Sequence, residues 1–184
     1  MKLINDNLRK AGYFNAVLIV IAIVLRTISF SSIPTLGKVD SILCIVSLLF
    51  GLIYALNGYK KDASKYYKAF MYLYLLSAVI TLILAFSVAT IELGDYGILV
   101  IIANVVILIS IFVLAFIKDL GEKKSNNLAI LVFALSIFKL LFNTAIKGTI
   151  MPILSAGFAN IMLSCILCLF VSAKYAEKGS RGAR

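Results

Sequence analysis

The chain has 184 residues, 62% of them hydrophobic, with a mean hydropathy of +1.07, 18 Lys and Arg against eight Asp and Glu, and no histidine. Soluble domains carry roughly 45 to 50% apolar residues, so the composition excludes an ordinary globular enzyme, and the +10 charge belongs at a membrane surface rather than on nucleic acid. Without histidine there is no Ser-His or Cys-His nucleophile pair, no His-ligated zinc and no axial-His haem.

Six apolar runs are each about the 17 to 25 residues that a helix rising about 1.5 Å per residue needs to cross hydrocarbon about 30 Å thick. The predicted fold is therefore all-α: one membrane domain over residues 1–184 with six transmembrane helices. The first span, Ala11 to Ile33, follows a basic start, Met1 to Tyr13. It is too long for a signal-peptide core and has no small-residue cleavage pattern before Arg26, so it reads as a retained helix. The second, Val39 to Asn57, carries Ser47, Gly51 and Ala55 at every fourth position and opens with Asp40 at its rim. The third, Tyr67 to Ala89, repeats that spacing with Ser77, Thr81, Ala85 and Ala89, and is followed by Glu92 and Asp95. The fourth runs from Tyr96 to Ile117, the fifth from Leu128 to Ile146, and the sixth from Pro152 to Ala173 with Ala156, Asn160, Ser164, Cys168 and Ser172 on one stripe. Small residues at this spacing let helix backbones approach closely, which is how helices associate where lipid removes the hydrophobic drive. The runs Leu82, Ile83, Leu84 and Val105, Val106, Ile107 are expected to face lipid. The last residues, Gly179 to Arg184, read as a polar tail with no assigned function.

All but four of the 18 basic residues fall at the N-terminus, in the second and fourth gaps, or after the sixth span. The exceptions are Lys38 and Lys147 in the opposite gaps, and Arg26 and Lys139 inside spans. The excess of Lys and Arg on one side predicts that both termini are cytoplasmic, in what we expect to be a bacterial cytoplasmic membrane. Tyr13, Tyr59, Tyr66, Tyr67 and Tyr175 are placed as interfacial anchors on that side and Tyr96 on the other.

No reactive constellation emerges, so we expect a protein that is not an enzyme and carries no cofactor or metal. Cys44, Cys165 and Cys168 all lie within spans; the C-x-x-C pair lacks the further Cys or His ligands a zinc site needs and reads as packing. No carboxylate is expected well inside a span. A Ser136 and Lys139 pair lacks an oxyanion hole and a suitable angle of approach.

Two patterns bear on function. Aligning Ile102 to Ile107 with Phe158 to Leu163 superposes Asn104 on Asn160 and, at the same offset, Lys118 on Lys174, which suggests three helical-hairpin repeats about an axis along the membrane normal. The second pattern is the two cations within spans. A charge at a helix centre costs about 2.5 to 3.5 kcal/mol on insertion scales, so such residues face a bundle interior or water and find partners. Arg26 shares a helix face with Asn15, Ala22 and Ser29, and Lys139 with Ser136, Asn143 and Lys147. The candidate ligand-binding residues are Arg26, Lys139, Asn143, Asn104, Asn160 and Ser29, forming a positive pocket open to the non-cytoplasmic side. The competing readings are snorkelling to the headgroups and ion pairing, with Asp40, Glu92 and Asp95 as candidate partners.

The expected partners are the lipid bilayer, a small polar or anionic ligand, and a membrane-protein partner or second copy, with no nucleic acid. The functional expectation is a transporter, or the substrate-binding membrane subunit of one; the alternative is a non-catalytic assembly or immunity-type partner. In size, six spans and cytoplasmic termini the layout is similar to the S components of energy-coupling-factor vitamin transporters. Where that family carries A-x-x-x-A on its first helix this chain has Ala16 and Ala22, six apart, so the likeness is one of layout. No ATP-binding motif is present, so active transport would need a partner or an ion gradient, and the expected lack of buried carboxylates speaks against proton coupling.

Overall fold

The computed structural model describes residues 2–33, 35–57, 63–92, 97–117, 120–147 and 150–181. Among them there are six α-helices and no strand: α1 (Lys2–Ile28), α2 (Thr35–Leu56), α3 (Ala63–Glu92), α4 (Gly97–Phe116), α5 (Glu122–Lys147) and α6 (Ile150–Arg181), with a 3-10 turn, Ser29–Ser32, continuing α1. Five are long and apolar enough to cross a membrane, namely α2 to α6; the apolar part of α1, Gly12–Ile28, is shorter. α3, α5 and α6 overrun the sequence-based spans at both ends and α2 at its start, because a helix does not stop where hydrophobicity does, whereas α4 keeps within its span. Backbone bonding carries α3 and α6 on through polar residues.

Each helix packs on its neighbours in the chain, α6 closes the ring on α1, and α2 touches α6 across it. The ring has two ends. One, the basic end by sequence, carries the starts of α1, α3 and α5 and the ends of α2, α4 and α6; the other, the turn-bearing end, carries the opposite ends of the same helices. Exposed side chains are the apolar ones expected against lipid, for example Phe14, Ile83, Phe86 and Leu141. One lipid-facing assignment is corrected: Ile107 is 6% exposed and belongs to the core. It lies one turn after Ala103 and before Ile111, both buried, so it stands on the inner stripe of α4.

The small-residue stripes behave in two ways. Ser47, Gly51 and Ala55 are all buried, and a Cβ on Gly51 would stand 2.6 Å from Ile166 Cδ1, so this glycine sets the approach of α2 to α6. On α6 the predicted stripe does not stay on one face: Ser164 is buried while Ser172 is exposed. Four residues turn an α-helix by about 400°, so an every-fourth row drifts by about 40° per step. Replacing Gly51 with leucine is expected to destabilise the bundle by about 1 to 3 kcal/mol, the usual cost of overpacking, read as a lower melting temperature in detergent. Gly51→Ala should cost less, because the atom in the way is the far end of a flexible side chain.

Toward the basic end the core is aromatic. Phe170 is 2% exposed and meets Tyr54 in a stacked pair at 4.0 Å between ring centroids, Phe70 at 5.1 Å and Tyr67 at 5.2 Å. The half-buried ring of Tyr67 thus packs on the core. Nearby, Ser125 Oγ and Tyr175 Oη lie 2.9 Å apart, joining the start of α5 to the end of α6.

Candidate functional site

Nearer the other end the core turns polar, and every helix contributes. Arg26, close to the end of α1, is 5% exposed and donates from Nη2 to Asp40 Oδ2 at 2.8 Å. Asp40 was expected at the rim of the second span; it is instead 5% exposed, well inside α2. The correction has a local cause. With α2 starting at Thr35, Asp40 stands more than one turn into the helix. A carboxylate there needs donors, and α3 supplies two more: Ser77 Oγ donates to Asp40 Oδ1 at 2.7 Å and Thr81 Oγ1 to the same atom at 3.3 Å. One carboxylate therefore ties three helices together. Within this cluster Arg26 Nε is buried without a partner among the described residues.

The second cation is held differently. Lys139 Nζ donates to Asn104 Oδ1, and Asn104 Nδ2 donates to the Val100 carbonyl oxygen one turn earlier at 2.9 Å. The asparagine amide is thus oriented with its oxygen toward the ammonium group. Among the described residues the one ion pair is Arg26 with Asp40, so the partner of Lys139 is neutral. Glu92 closes α3, eleven residues past Thr81 and about 16 Å further along the axis. Its side chain, and all of Asp95, lie outside the described residues.

Between these groups is a cavity of about 20 Å³ lined by Tyr74, Ser77, Thr81, Asn104, Ser136, Lys139 and Asn160 together with Ala78 and Ile107. Asn104 and Asn160, superposed by the 56-residue offset, both line it. The amide of Asn160 has no hydrogen-bond partner among the described residues. Ser136 Oγ donates to the Val132 carbonyl oxygen at 2.8 Å rather than to Lys139, so no Ser-Lys dyad is formed. Arg26 does not line the cavity but is linked to it through Asp40 and the hydroxyls of Ser77 and Thr81. Asn143 is half-buried and stands away from the lining, and Ser29 Oγ donates to the Leu25 carbonyl oxygen at 3.1 Å. These two candidate ligand residues are not brought to the cavity.

Two residues of the site carry a packing role in the sequence pattern, and a third, Tyr74, carries no assignment there. Ser77 and Thr81 counted as packing residues, and their spacing by one turn was the signal that both hydroxyls could reach one acceptor. Tyr74 carries no such signal: it is one of several tyrosines on α3, and only its burial, 4% exposed, sets it apart. No family model, curated protein or solved structure matches the chain.

Proposed function

We propose that this chain is a solute-handling membrane protein, a transporter or the substrate-binding membrane subunit of one, whose polar cavity takes a small polar or anionic solute. The observation that supports the reading is the charge count around the cavity. Arg26 and Asp40 cancel, leaving Lys139 as a cation held by a neutral amide. Helix association in lipid is served by small residues and close packing, and Gly51 and its stripe already provide that. An ammonium group held by a neutral amide beside a cavity adds nothing to packing, but it gives an anion or a polar oxygen a strong donor.

Position favours access from the turn-bearing end. Asn104, Lys139 and Asn160 each stand closer to that end of their helices than to the other. With the basic gaps on the cytoplasmic side, that end is the non-cytoplasmic one. The buried carboxylate of Asp40 also removes the argument against proton coupling that its expected place at the rim had carried.

The test is thermal unfolding of the detergent-solubilised protein, followed with a thiol-reactive dye on its three free cysteines, against a panel of chloride, formate, lactate, phosphate, glutamate and glucose. A solute at a hundredfold excess over its dissociation constant stabilises the folded state by about 2.7 kcal/mol. We expect at least one member to raise the melting temperature of the native protein and to lose that effect, by roughly ten- to a hundredfold in affinity, in Lys139→Met, as for a hydrogen bond to a charged group worth about 1.5 to 3 kcal/mol. The absence of any stabilising solute, or equal stabilisation of the variant, would overturn the proposal.

A further inference from the structure

Resting on the reading that the cavity is a solute site, the geometry points to a single small monovalent anion, of halide, nitrate or formate size, as its occupant. Three observations converge on this class. The first is size: about 20 Å³ is somewhat more than the roughly 10 to 15 Å³ that one water needs on the same measure, so the space between these side chains suits a small ion. The second is charge. Among the described residues Arg26 and Asp40 form a neutral pair, which leaves Lys139 as the cation on the cavity lining. A water would fill the space and leave that charge standing, a divalent anion would invert it, and a monovalent anion cancels it.

The third observation is the donor set. Lys139 Nζ spends one of its N–H groups on Asn104 Oδ1 and has others to offer. Asn160 presents an amide with no partner among the described residues, from the helix that completes the ring around the cavity. Ser77 and Thr81 are already committed to Asp40, and Asn104 Nδ2 spends one of its two N–H groups on Val100. Lys139 and Asn160 would hold the anion, one by charge and both by hydrogen bonds, with the Tyr74 hydroxyl and the second amide N–H of Asn104 as further donors on the lining.

The experiment titrates the full-length protein in detergent with chloride, nitrate, formate and sulfate over a sodium gluconate baseline, following the melting temperature. Chloride, nitrate and formate are expected to stabilise saturably and sulfate not to. Lys139→Met should weaken all three at least tenfold. Asn160→Asp is close to isosteric and puts a carboxylate beside Lys139 where the anion would lie. It should likewise lose anion binding at least tenfold while melting at or above the native temperature in gluconate, which keeps the test valid if Lys139→Met does not fold. Unchanged affinity for the small anions in the folded variants would overturn the inference. Stabilisation by sulfate, phosphate, lactate or glucose that depends on Lys139, with no response to the small anions, would sink the small-anion assignment and leave the solute-site reading standing. No response to any solute removes both.

Discussion

Replacing Asp40 with leucine is expected to destabilise the folded bundle by about 3 to 5 kcal/mol, the range for removing one partner of a buried ion pair. The size of the effect follows from what is left behind. Arg26 is 5% exposed, its Nη2 loses the acceptor at 2.8 Å, its Nε already has no partner among the described residues, and a guanidinium group cannot escape by giving up its proton. Ser77 and Thr81 lose their acceptor at the same time. Replacing both charges, Arg26→Met with Asp40→Leu, should recover most of the loss, because an apolar pair of similar volume is often neutral or stabilising relative to a buried ion pair. Chemical denaturation in mixed micelles of the native protein, both single variants and the double variant gives the coupling energy directly. A single Asp40→Leu change that costs less than 1 kcal/mol would show that the pair does not hold the helices together.

Phe170→Ala is expected to cost about 2 to 3 kcal/mol. In a water-soluble core this change costs about 3 to 5 kcal/mol, part of it from transfer out of water. Lipid tails are as apolar as the side chain itself, so in a membrane that part largely vanishes. What remains is the void, at about 24 cal/mol per Å³ over a volume on the order of 100 Å³. The stacked ring of Tyr54 at 4.0 Å and those of Phe70 and Tyr67 would lose a shared neighbour, loosening α2, α3 and α6 together. The same melting assay checks this, with Phe170→Leu expected to restore about half of the loss. A drop as large as that of Asp40→Leu would mean that the aromatic cluster, not the polar layer, dominates cohesion.

Ligand response and stability should separate in these variants. Phe170→Ala lies toward the basic end and leaves the cavity lining intact, so it should lower the melting temperature while keeping the anion-dependent increment. Lys139→Met should do the reverse.

The helices and the inner stripe of α2 were legible along the chain because hydropathy is local and additive: a run of apolar residues is a helix candidate whatever surrounds it. Arg26 and Lys139 were legible for the same reason, as charges interrupting such runs. Asp40 was misplaced because the apolar run was judged to begin at Val39, whereas α2 begins at Thr35, and those few residues decide whether a carboxylate sits at a rim or inside a bundle. The α6 stripe failed at Ser172 because a four-residue repeat is not the period of an α-helix.

By itself, then, the amino-acid order settled that this is an all-helical chain with membrane-compatible segments, and which of its cations lie within them. Which acid or amide each cation meets was decided only by tertiary structure. The contacts join residues 14, 37 and 35 positions apart, on α1 and α2, α2 and α3, and α4 and α5. They depend on how each helix is rotated about its axis and on which helices are neighbours in the ring. Neither quantity is a sum over local residues, so a carboxylate that looked peripheral neutralises one cation, and the other is left beside a cavity with a neutral amide.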